Sequence, residues 1–245
     1  MLKAAHFAMF AAMCVLVAGC AQMQNETKVV LEIATVQSCS ESTVQSCSES
    51  TEQASSESTV QENHETVTPM GEIELLLYDD TPLHKANFVE MVESGWLEGK
   101  IFNRVIADFM IQCGYEQTEN TIEPEIHYPK YYHRRGMLAM GRSREDLLSN
   151  SEQFYIVWGK PVDDEYLARV QERIFRETGE HIEFPDEIRE VYHTVGGTPH
   201  LDTQFTIFGE VTKGLDVVEA IQAVETDSED KPLADVVITK AYLTK

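Results

Sequence analysis

The sequence predicts a mostly β protein, in which a closed antiparallel barrel is capped by two helices and carries an additional helical insertion. The first observation is that short runs rich in β-branched and aromatic residues recur between turn residues, a pattern typical of antiparallel barrels. The second is that helical spacing of apolar residues is confined to two core segments and to residues 161–192. About 225 residues follow the predicted signal peptide, enough for one well-packed core.

Residues 1–19 are predicted to be a signal peptide that is not part of the fold. Lys3 supplies a positive start, and residues 7–18 form an apolar run shorter than a membrane-spanning helix. The sequence from Val17 to Cys20 resembles a bacterial lipobox, which implies that Cys20 is lipidated and becomes the N-terminus. The alternatives are an ordinary signal peptide and a buried helix that ends in cysteine.

The lipobox implies a location for the mature protein. Residues 20–27 are expected to form a short tether between the lipid and the folded domain. The protein is then anchored in the bacterial cell envelope, on the periplasmic or outer-membrane face, and does not span the membrane.

An octapeptide repeat occupies residues 35–58. Thr-Val-Gln-Ser-Cys-Ser-Glu-Ser occurs twice and a decayed copy follows, and the polar composition predicts disorder over about residues 36–68. Residues 28–35 and 70–78 fit strands, so the repeat is expected to lengthen the first hairpin loop, at a cost of only about 0.6 kcal/mol per doubling of length. The repeat acts either as a spacer or as an adhesive or partner-binding stalk.

The remaining core elements follow in order. A helix is predicted to begin at Thr81-Pro82, with threonine as the N-cap and proline at the first helical position, and to end at Gly95. A second core helix fits residues 216–223. Residues 128–135 mix aromatic and basic side chains and are predicted to form a short surface loop. Strands are predicted over residues 100–106, 110–112, 137–140, 153–158, 206–211 and 234–243.

Residues 161–192 are predicted to form a helical insertion between two barrel strands. Apolar residues recur at helical spacing between residues 163 and 177, and Gly179 is a stop signal. Residues 185–192 fit a shorter helix. The insertion either packs on the rim of the barrel or binds partners.

The composition limits the possible ligands. A formal net charge of −23 argues against nucleic-acid binding, because phosphate recognition needs basic patches. Beyond the signal peptide and lipobox, Cys39, Cys47 and Cys113 remain, with no CxxC pair and no metal-ligand spacing. Cys39 and Cys47 either pair in an oxidising envelope or reflect duplication of the repeat. No metal or cofactor is implied, and a monomer is expected.

The most informative motif is Phe-Asn-Arg-Val-Ile-Ala-Asp-Phe-Met-Ile-Gln, which runs from Phe102 to Gln112. An arginine inside an apolar run must reach solvent or hold something against an apolar wall. The motif resembles the signature of the cyclophilins, the peptidyl-prolyl cis-trans isomerases, which is close to Phe-His-Arg-Val-Ile-x-x-Phe-Met-Ile-Gln-Gly-Gly. Residues 138–142, 153–156 and 200–209 resemble further family segments in the family's order. The resemblance implies an eight-stranded closed barrel built from residues 28–245.

The resemblance also implies a role for each matched residue. Arg104 falls on the family's catalytic arginine, and Tyr155 falls where a phenylalanine forms the floor of the proline pocket. Each residue alone fits a core or ion-pair role, and only their joint order supports function. For Gly141 and Arg142 the structural and functional interpretations stay equally open. The matched substrate-binding positions are Phe109, Met110, Gln112, Gly141, Arg142, Gln153, Tyr155, Leu201 and Phe205.

The activity implied by the resemblance is faster rotation of X-Pro bonds in envelope or secreted proteins. The barrier to rotation is roughly 18–20 kcal/mol, and an arginine that donates to the prolyl nitrogen localises its lone pair as the bond twists. Proline-containing polypeptides are the expected partners. The alternative is a non-catalytic proline-peptide binder, or a surface interaction lipoprotein whose repeat and insertion carry the function.

Several positions depart from the family's pattern. Asn103 and Phe205 replace histidines, His200 stands where a tryptophan often lies, and Cys113 interrupts the Gly-Gly that follows the motif. Tyr155 adds a hydroxyl at the pocket. None of these changes removes Arg104, so activity is expected, at the usual or a reduced level.

Overall fold

A computed structural model describes residues 26–38, 65–114, 120–143 and 147–244. These residues form nine strands, four α-helices and one short 3₁₀ helix at Pro199–Leu201. The strands are β1 (Thr27–Ser38), β2 (Glu65–Leu77), β3 (Arg104–Ile106), β4 (Met110–Gly114), β5 (Thr121–Ile122), β6 (Met137–Arg142), β7 (Ser149–Val157), β8 (Ile207–Lys213) and β9 (Asp235–Thr244). The helices are α1 (Pro82–Glu93), α2 (Asp164–Thr178), α3 (Asp186–Thr194) and α4 (Leu215–Gln222).

The strands form one curled antiparallel sheet in the order β3-β4-β7-β6-β8-β2-β1-β9, with β5 paired to β7. The closed barrel predicted from the sequence is wrong, because the sheet is an open half-barrel. Its edge strands β3 and β9 share no ladder within the described residues. The reason is the short β3: the chain before it meets β9 through one isolated bridge, between Ile101 and Val237, and through a few backbone hydrogen bonds such as Phe102 N–H to Val236 O at 2.9 Å.

The repeat region lies between two strands that pair with each other. β1 and β2 are antiparallel neighbours, and their ladder extends to Val36 opposite Val67 and Ser38 opposite Glu65. The disordered segment predicted over residues 36–68 is therefore too wide at both ends, because threonines and valines continue the pattern of both strands. Residues 39–64, which include Cys39 and Cys47, and residues 1–25, which include the predicted lipidation site Cys20, lie outside the described residues.

Shortening the connection between β1 and β2 should leave the domain folded. Replacing residues 39–64 by a four-residue Gly/Asn turn is expected to keep or slightly raise the urea midpoint, because each halving of loop length returns about 0.6 kcal/mol. Deleting residues 27–64 instead should abolish cooperative unfolding, since β1 lies between β2 and β9 and buries Val29, Leu31 and Ile33. Equal urea midpoints for the two variants would show that β1 is not part of the folded domain.

The main core lies between the inner face of the sheet and helices α1 and α4. Phe88 of α1 packs edge-on against Phe154 of β7, with ring centroids 5.3 Å apart, and Val218 and Ile221 bring α4 into the same cluster. Aromatic pairs in this geometry add about 0.5–1.5 kcal/mol beyond their buried area. The two predicted core helices therefore cap this core, with bounds that differ from the prediction by a residue or two.

Helix α1 begins at the predicted position but is capped differently. Thr81 is the N-cap residue, yet its hydroxyl does not cap the helix. The backbone N–H groups of Leu83 and His84 instead donate to the two carboxylate oxygens of Glu125, at 3.1 and 3.0 Å. A carboxylate is favourable there because the N-terminus of a helix carries partial positive charge.

Helices α2 and α3 form a second apolar cluster of their own. Asp163 caps α2 by accepting a hydrogen bond from the N–H of Tyr166 at 2.8 Å, and Gly179 ends the helix with φ 78°. The buried members of the cluster are Leu167, Val170, Ile174, Ile182, Phe184, Ile188 and Tyr192. No helix in the described part of the chain is both long and apolar enough to cross a membrane.

Candidate functional site

A row of paired residues crosses the outer face of the sheet. Arg104 of β3 lies opposite Gln112 of β4, Gln112 lies opposite Tyr155 of β7, and Tyr155 lies opposite Ala139 of β6. Side chains alternate between the two faces of a strand, and the neighbours of Gln112, Ile111 and Cys113, are buried in the main core. The row therefore places an arginine, an amide and a phenol on the face that is turned away from the main core.

Five residues predicted to bind substrate come together beside this row. Met110 and Tyr155 are buried, and Phe109, Leu201 and Phe205 pack against them while remaining partly exposed. Residues that the sequence analysis did not single out complete the same cluster: Met137, Ala139, Val157 and Ile207. These four residues could have been found from the alternation of side chains along β6, β7 and β8, which assigns them to the same face as Tyr155. The result is an apolar pocket wall with its rim open to solvent.

Phe109 stands at the rim because the turn before β4 is held at several points. Asp108 has φ 58°, and its N–H donates to Gln222 Oε1 of α4 at 3.0 Å. The carbonyl of Phe109 accepts from the N–H groups of Trp158 and Gly159, at 2.9 and 3.0 Å. These contacts fix the position of the ring.

Arg104 is half exposed, with 37% of its side chain accessible, and its Nε lies 3.5 Å from Asp230 Oδ2. Asp230 was not singled out from the sequence, and it also accepts the N–H of Val105 through its carbonyl at 2.8 Å. Because this ion pair is exposed, it contributes little stability. Its main consequence is to restrain the position of the guanidinium.

Two buried polar atoms beside Arg104 have no hydrogen-bond partner among the described residues. They are Nε2 of Gln112 and Oδ1 of Asn103. Buried polar groups are almost always paired, so the unpaired amide of Gln112 is an unusual feature of the row.

Gly141, Arg142 and Gln153 lie on the strands β6 and β7 that also carry pocket residues. A Cβ at Gly141 would lie 2.0 Å from Gln153 Oε1, so glycine makes room for the buried glutamine. Arg142 donates from Nε to the carbonyl of Gln204 at 2.7 Å, and its guanidinium lies 4.7 Å from the ring centroid of Phe205. Through these two contacts Arg142 stabilises the loop that carries Phe205.

The hydroxyl of Tyr155 is paired with a buried histidine. It lies 2.9 Å from Nε2 of His133, and the Tyr155 ring meets Phe205 edge-on, with centroids 5.8 Å apart. Burial and the nearby Asp202 carboxylate raise the pKa of Tyr155 well above its usual value, so the phenol keeps its proton.

The surface loop predicted over residues 128–135 is wrong at His133. This residue is only 1% exposed, because its ring is paired with the buried Asp202.

Cys113 is a buried member of the main core, and burial raises the pKa of its thiol to about 12. A thiol with so high a pKa is rarely the reactive thiolate. Among the departures from the family's pattern, Cys113 is therefore a packing residue.

His200 lies between the pocket and the helical insertion. Its ring stacks on Phe109, with centroids 5.4 Å apart, and its Nδ1 is 3.3 Å from the hydroxyl of Tyr166. A cavity of about 280 Å³ opens beside it, lined by residues that include Phe109, Lys160, Asp163, Tyr166, Arg169 and Thr198. Burial, with a smaller contribution from Arg173, lowers the pKa of His200 to about 4.

This pKa predicts an acid-sensitive step in stability. The folded pKa lies below the ordinary 6.5, so between pH 6.5 and 4 the unfolded chain binds the extra proton. The free energy of unfolding should therefore fall as the pH falls through this range, by up to about 1.4 kcal/mol per pH unit. Urea titrations at several pH values measure how steeply the free energy of unfolding depends on pH. The His200→Phe variant should lose the part of this pH dependence that is due to His200. The part due to His84, whose pKa is also lowered by burial, should remain. An unchanged slope would contradict the assignment.

Comparisons with known proteins identify the family of this chain. The family described as "Cyclophilin type peptidyl-prolyl cis-trans isomerase/CLD" matches residues 63–243. A "Putative peptidyl-prolyl cis-trans isomerase" of Staphylococcus epidermidis is 31% identical over 181 residues, which cover 70% of this chain and 86% of the relative. A "Putative bifunctional phosphatase/peptidyl-prolyl cis-trans isomerase" of Streptococcus pyogenes is 33% identical over 187 residues, and this chain spans only 36% of its length.

A solved structure shows the same fold. The crystal structure of a cyclophilin type peptidyl-prolyl cis-trans isomerase of Cryptosporidium parvum has a TM-score of 0.53, covers 72% of this chain and 93% of its own, and is 20% identical. The match defines a cyclophilin-like fold.

The chain belongs to the cyclophilin-type peptidyl-prolyl cis-trans isomerase family, because the family match spans well over half of its length. The resemblance and the enzyme class predicted from the sequence are thereby confirmed.

Proposed function

We propose that the protein accelerates rotation about X-Pro bonds by donating a hydrogen bond from Arg104 to the prolyl nitrogen as the bond twists. The observation that carries the proposal is the row of Arg104, Gln112 and Tyr155 along the edge of the apolar cluster. It sets one cation and one unpaired amide donor beside a surface that can hold a pyrrolidine ring.

The chemistry needs no nucleophile and no general base. The barrier of roughly 18–20 kcal/mol arises because the nitrogen lone pair is delocalised into the carbonyl. In the twisted transition state the lone pair is localised and can accept a hydrogen bond, which the planar ground state accepts poorly. A guanidinium held beside the nitrogen therefore stabilises the transition state more than the ground state.

The other residues of the site bind the peptide. Phe109, Met110, Leu201 and Phe205 bury the proline ring against the floor formed by Tyr155. Gln112 Nε2, which lacks a partner among the described residues, donates to a substrate carbonyl. Binding one end of the peptide firmly lets the other end rotate.

The substrates are proline-containing polypeptides in the bacterial envelope or secreted through it. Support for the ligand class comes from a solved relative that was crystallised in the presence of the dipeptide Ala-Pro. Support for the location comes from the sequence alone, in which the apolar run before Cys20 fits a lipoprotein signal. A protein tethered in this way acts as a monomeric folding helper near the membrane surface.

A proline-limited refolding assay tests the function. The wild-type domain, added in catalytic amounts, should increase the slow refolding rate of a substrate whose rate-limiting step is X-Pro isomerisation. Binding of an X-Pro peptide without any increase in rate would instead support the non-catalytic proline-peptide binder.

A further inference from the structure

A buried chain of hydrogen bonds connects the helical insertion to the floor of the pocket. The hydroxyl of Tyr192, on α3, donates to Asp202 Oδ2 at 2.6 Å. The other oxygen, Oδ1, accepts from the backbone N–H of His133 at 2.8 Å and lies 2.9 Å from His133 Nδ1. The far side of the same ring, Nε2, lies 2.9 Å from the hydroxyl of Tyr155.

Because these four residues are buried, the donors and acceptors in this network of hydrogen bonds can be assigned. Tyr192, Asp202, His133 and Tyr155 are 0%, 1%, 1% and 4% exposed, so each polar atom must be satisfied within the chain. A carboxylate only accepts, so His133 donates from Nδ1 to Asp202, and with a neutral ring its Nε2 accepts from the Tyr155 hydroxyl. The hydroxyl of Tyr155 is thereby held against His133.

The backbone around His133 is also tightly held. Its carbonyl accepts from the N–H of Thr198 at 2.8 Å. A Cβ at Gly197 would lie 2.2 Å from the same carbonyl and 2.8 Å from the Tyr192 ring, so only glycine fits between the two. The imidazole therefore has little freedom to follow a displaced Tyr155.

We propose that Tyr192, Asp202 and His133 are positioning residues, which hold Tyr155 as an apolar pocket floor and make the helical insertion part of the active site. This inference rests on the proposed function. A phenylalanine at position 155 would need no such support, since it has no hydroxyl to satisfy. The three positioning residues are therefore needed only because a tyrosine stands at position 155.

A double-mutant cycle tests this coupling. His133→Leu is expected to lower kcat/KM for an X-Pro peptide about tenfold when Tyr155 is present, and less than about twofold in the Tyr155→Phe background, because an uncompensated buried hydroxyl disturbs the floor only in the first case. All rates are measured well below the melting temperature of each variant. Equal losses in both backgrounds, or no loss in either, would overturn the inference.

The contribution of the insertion has its own matched pair. Tyr192→Phe removes the donor to Asp202 and should lower kcat/KM about threefold, since one hydrogen bond to a charged group is lost. The ring of Tyr132 lies 5.5 Å from the ring of Tyr192 in the same aromatic cluster. Tyr132→Phe removes a hydroxyl from this cluster and should leave kcat/KM unchanged. Identical behaviour of the two variants would overturn the role of the insertion.

Measuring peptide affinity separates this inference from the proposed function. A wild type that binds the peptide without accelerating isomerisation would defeat the proposed function, and the same cycle in Kd would then decide the inference. Non-additive effects of His133→Leu and Tyr155→Phe on Kd support the inference, and additive effects overturn it. A wild type that neither binds nor catalyses defeats both.

Discussion

Replacing Arg104 by alanine is expected to lower kcat/KM for an X-Pro peptide by about 10²–10³-fold, the loss typical of removing one preorganised donor to a transition state. In the proposed mechanism the Arg104 guanidinium donates to the prolyl nitrogen, and the apolar side chains of the pocket wall carry no donor that could replace it. KM should change little, because the pocket that binds the proline ring stays intact. A coupled peptide isomerisation assay measures both constants.

Two variants serve as controls for Arg104→Ala. Arg104→Lys keeps the charge but loses the planar fork, so it should recover only part of the activity. Asp230→Asn removes the ion-pair partner of Arg104 and should cost less than tenfold in rate and no more than about 1 kcal/mol in stability, since the pair is exposed. An Arg104→Ala variant with wild-type kcat/KM would refute the arginine mechanism.

Replacing Asp202 by alanine is expected to give the largest loss of stability, about 3–5 kcal/mol in urea unfolding. The carboxylate accepts from the His133 backbone, the His133 ring and the Tyr192 hydroxyl. All of these donors are buried and would lose their acceptor together. The loss exceeds that of a typical single substitution because each unsatisfied buried donor adds its own desolvation cost.

Asp164→Ala is the matched control for Asp202→Ala. Asp164 likewise accepts hydrogen bonds, in its case from Arg189, but 68% of its side chain is exposed. Its removal should change the free energy of unfolding by no more than about 1 kcal/mol. If the two variants unfold at the same urea concentration, the buried network does not stabilise the fold.

The row of site residues could be predicted because the segment from Phe102 to Gln112 resembles the cyclophilin signature, and strand periodicity adds which of its side chains share a face. Arg104 and Gln112 lie two residues from either end of a tight turn region, and alternation assigns Met110 and Gln112 to one face. The apolar run around Gln153 and Tyr155 supplies the neighbouring strand. What periodicity cannot supply is the distance between strands, so the open edge between β3 and β9 was missed.

Long-range polar contacts could not be predicted. Glu125 caps α1 across 42 residues of chain, and His133 meets Asp202 across 69. No local pattern distinguishes a buried histidine from an exposed one in a segment rich in tyrosine, lysine and arginine. The same holds for Asp230, whose contact with Arg104 depends on how the segment before β9 returns to the sheet.

The central claim is that this site catalyses rotation about the X-Pro bond, and NMR exchange spectroscopy measures that rotation directly. A peptide with resolved cis and trans proline signals exchanges over tens of seconds without a catalyst. With a small amount of the wild-type domain, exchange cross-peaks should appear within mixing times of about a second, and they should vanish with Arg104→Ala. Peptide signals that shift on binding to the wild-type domain, without exchange cross-peaks, would contradict the account.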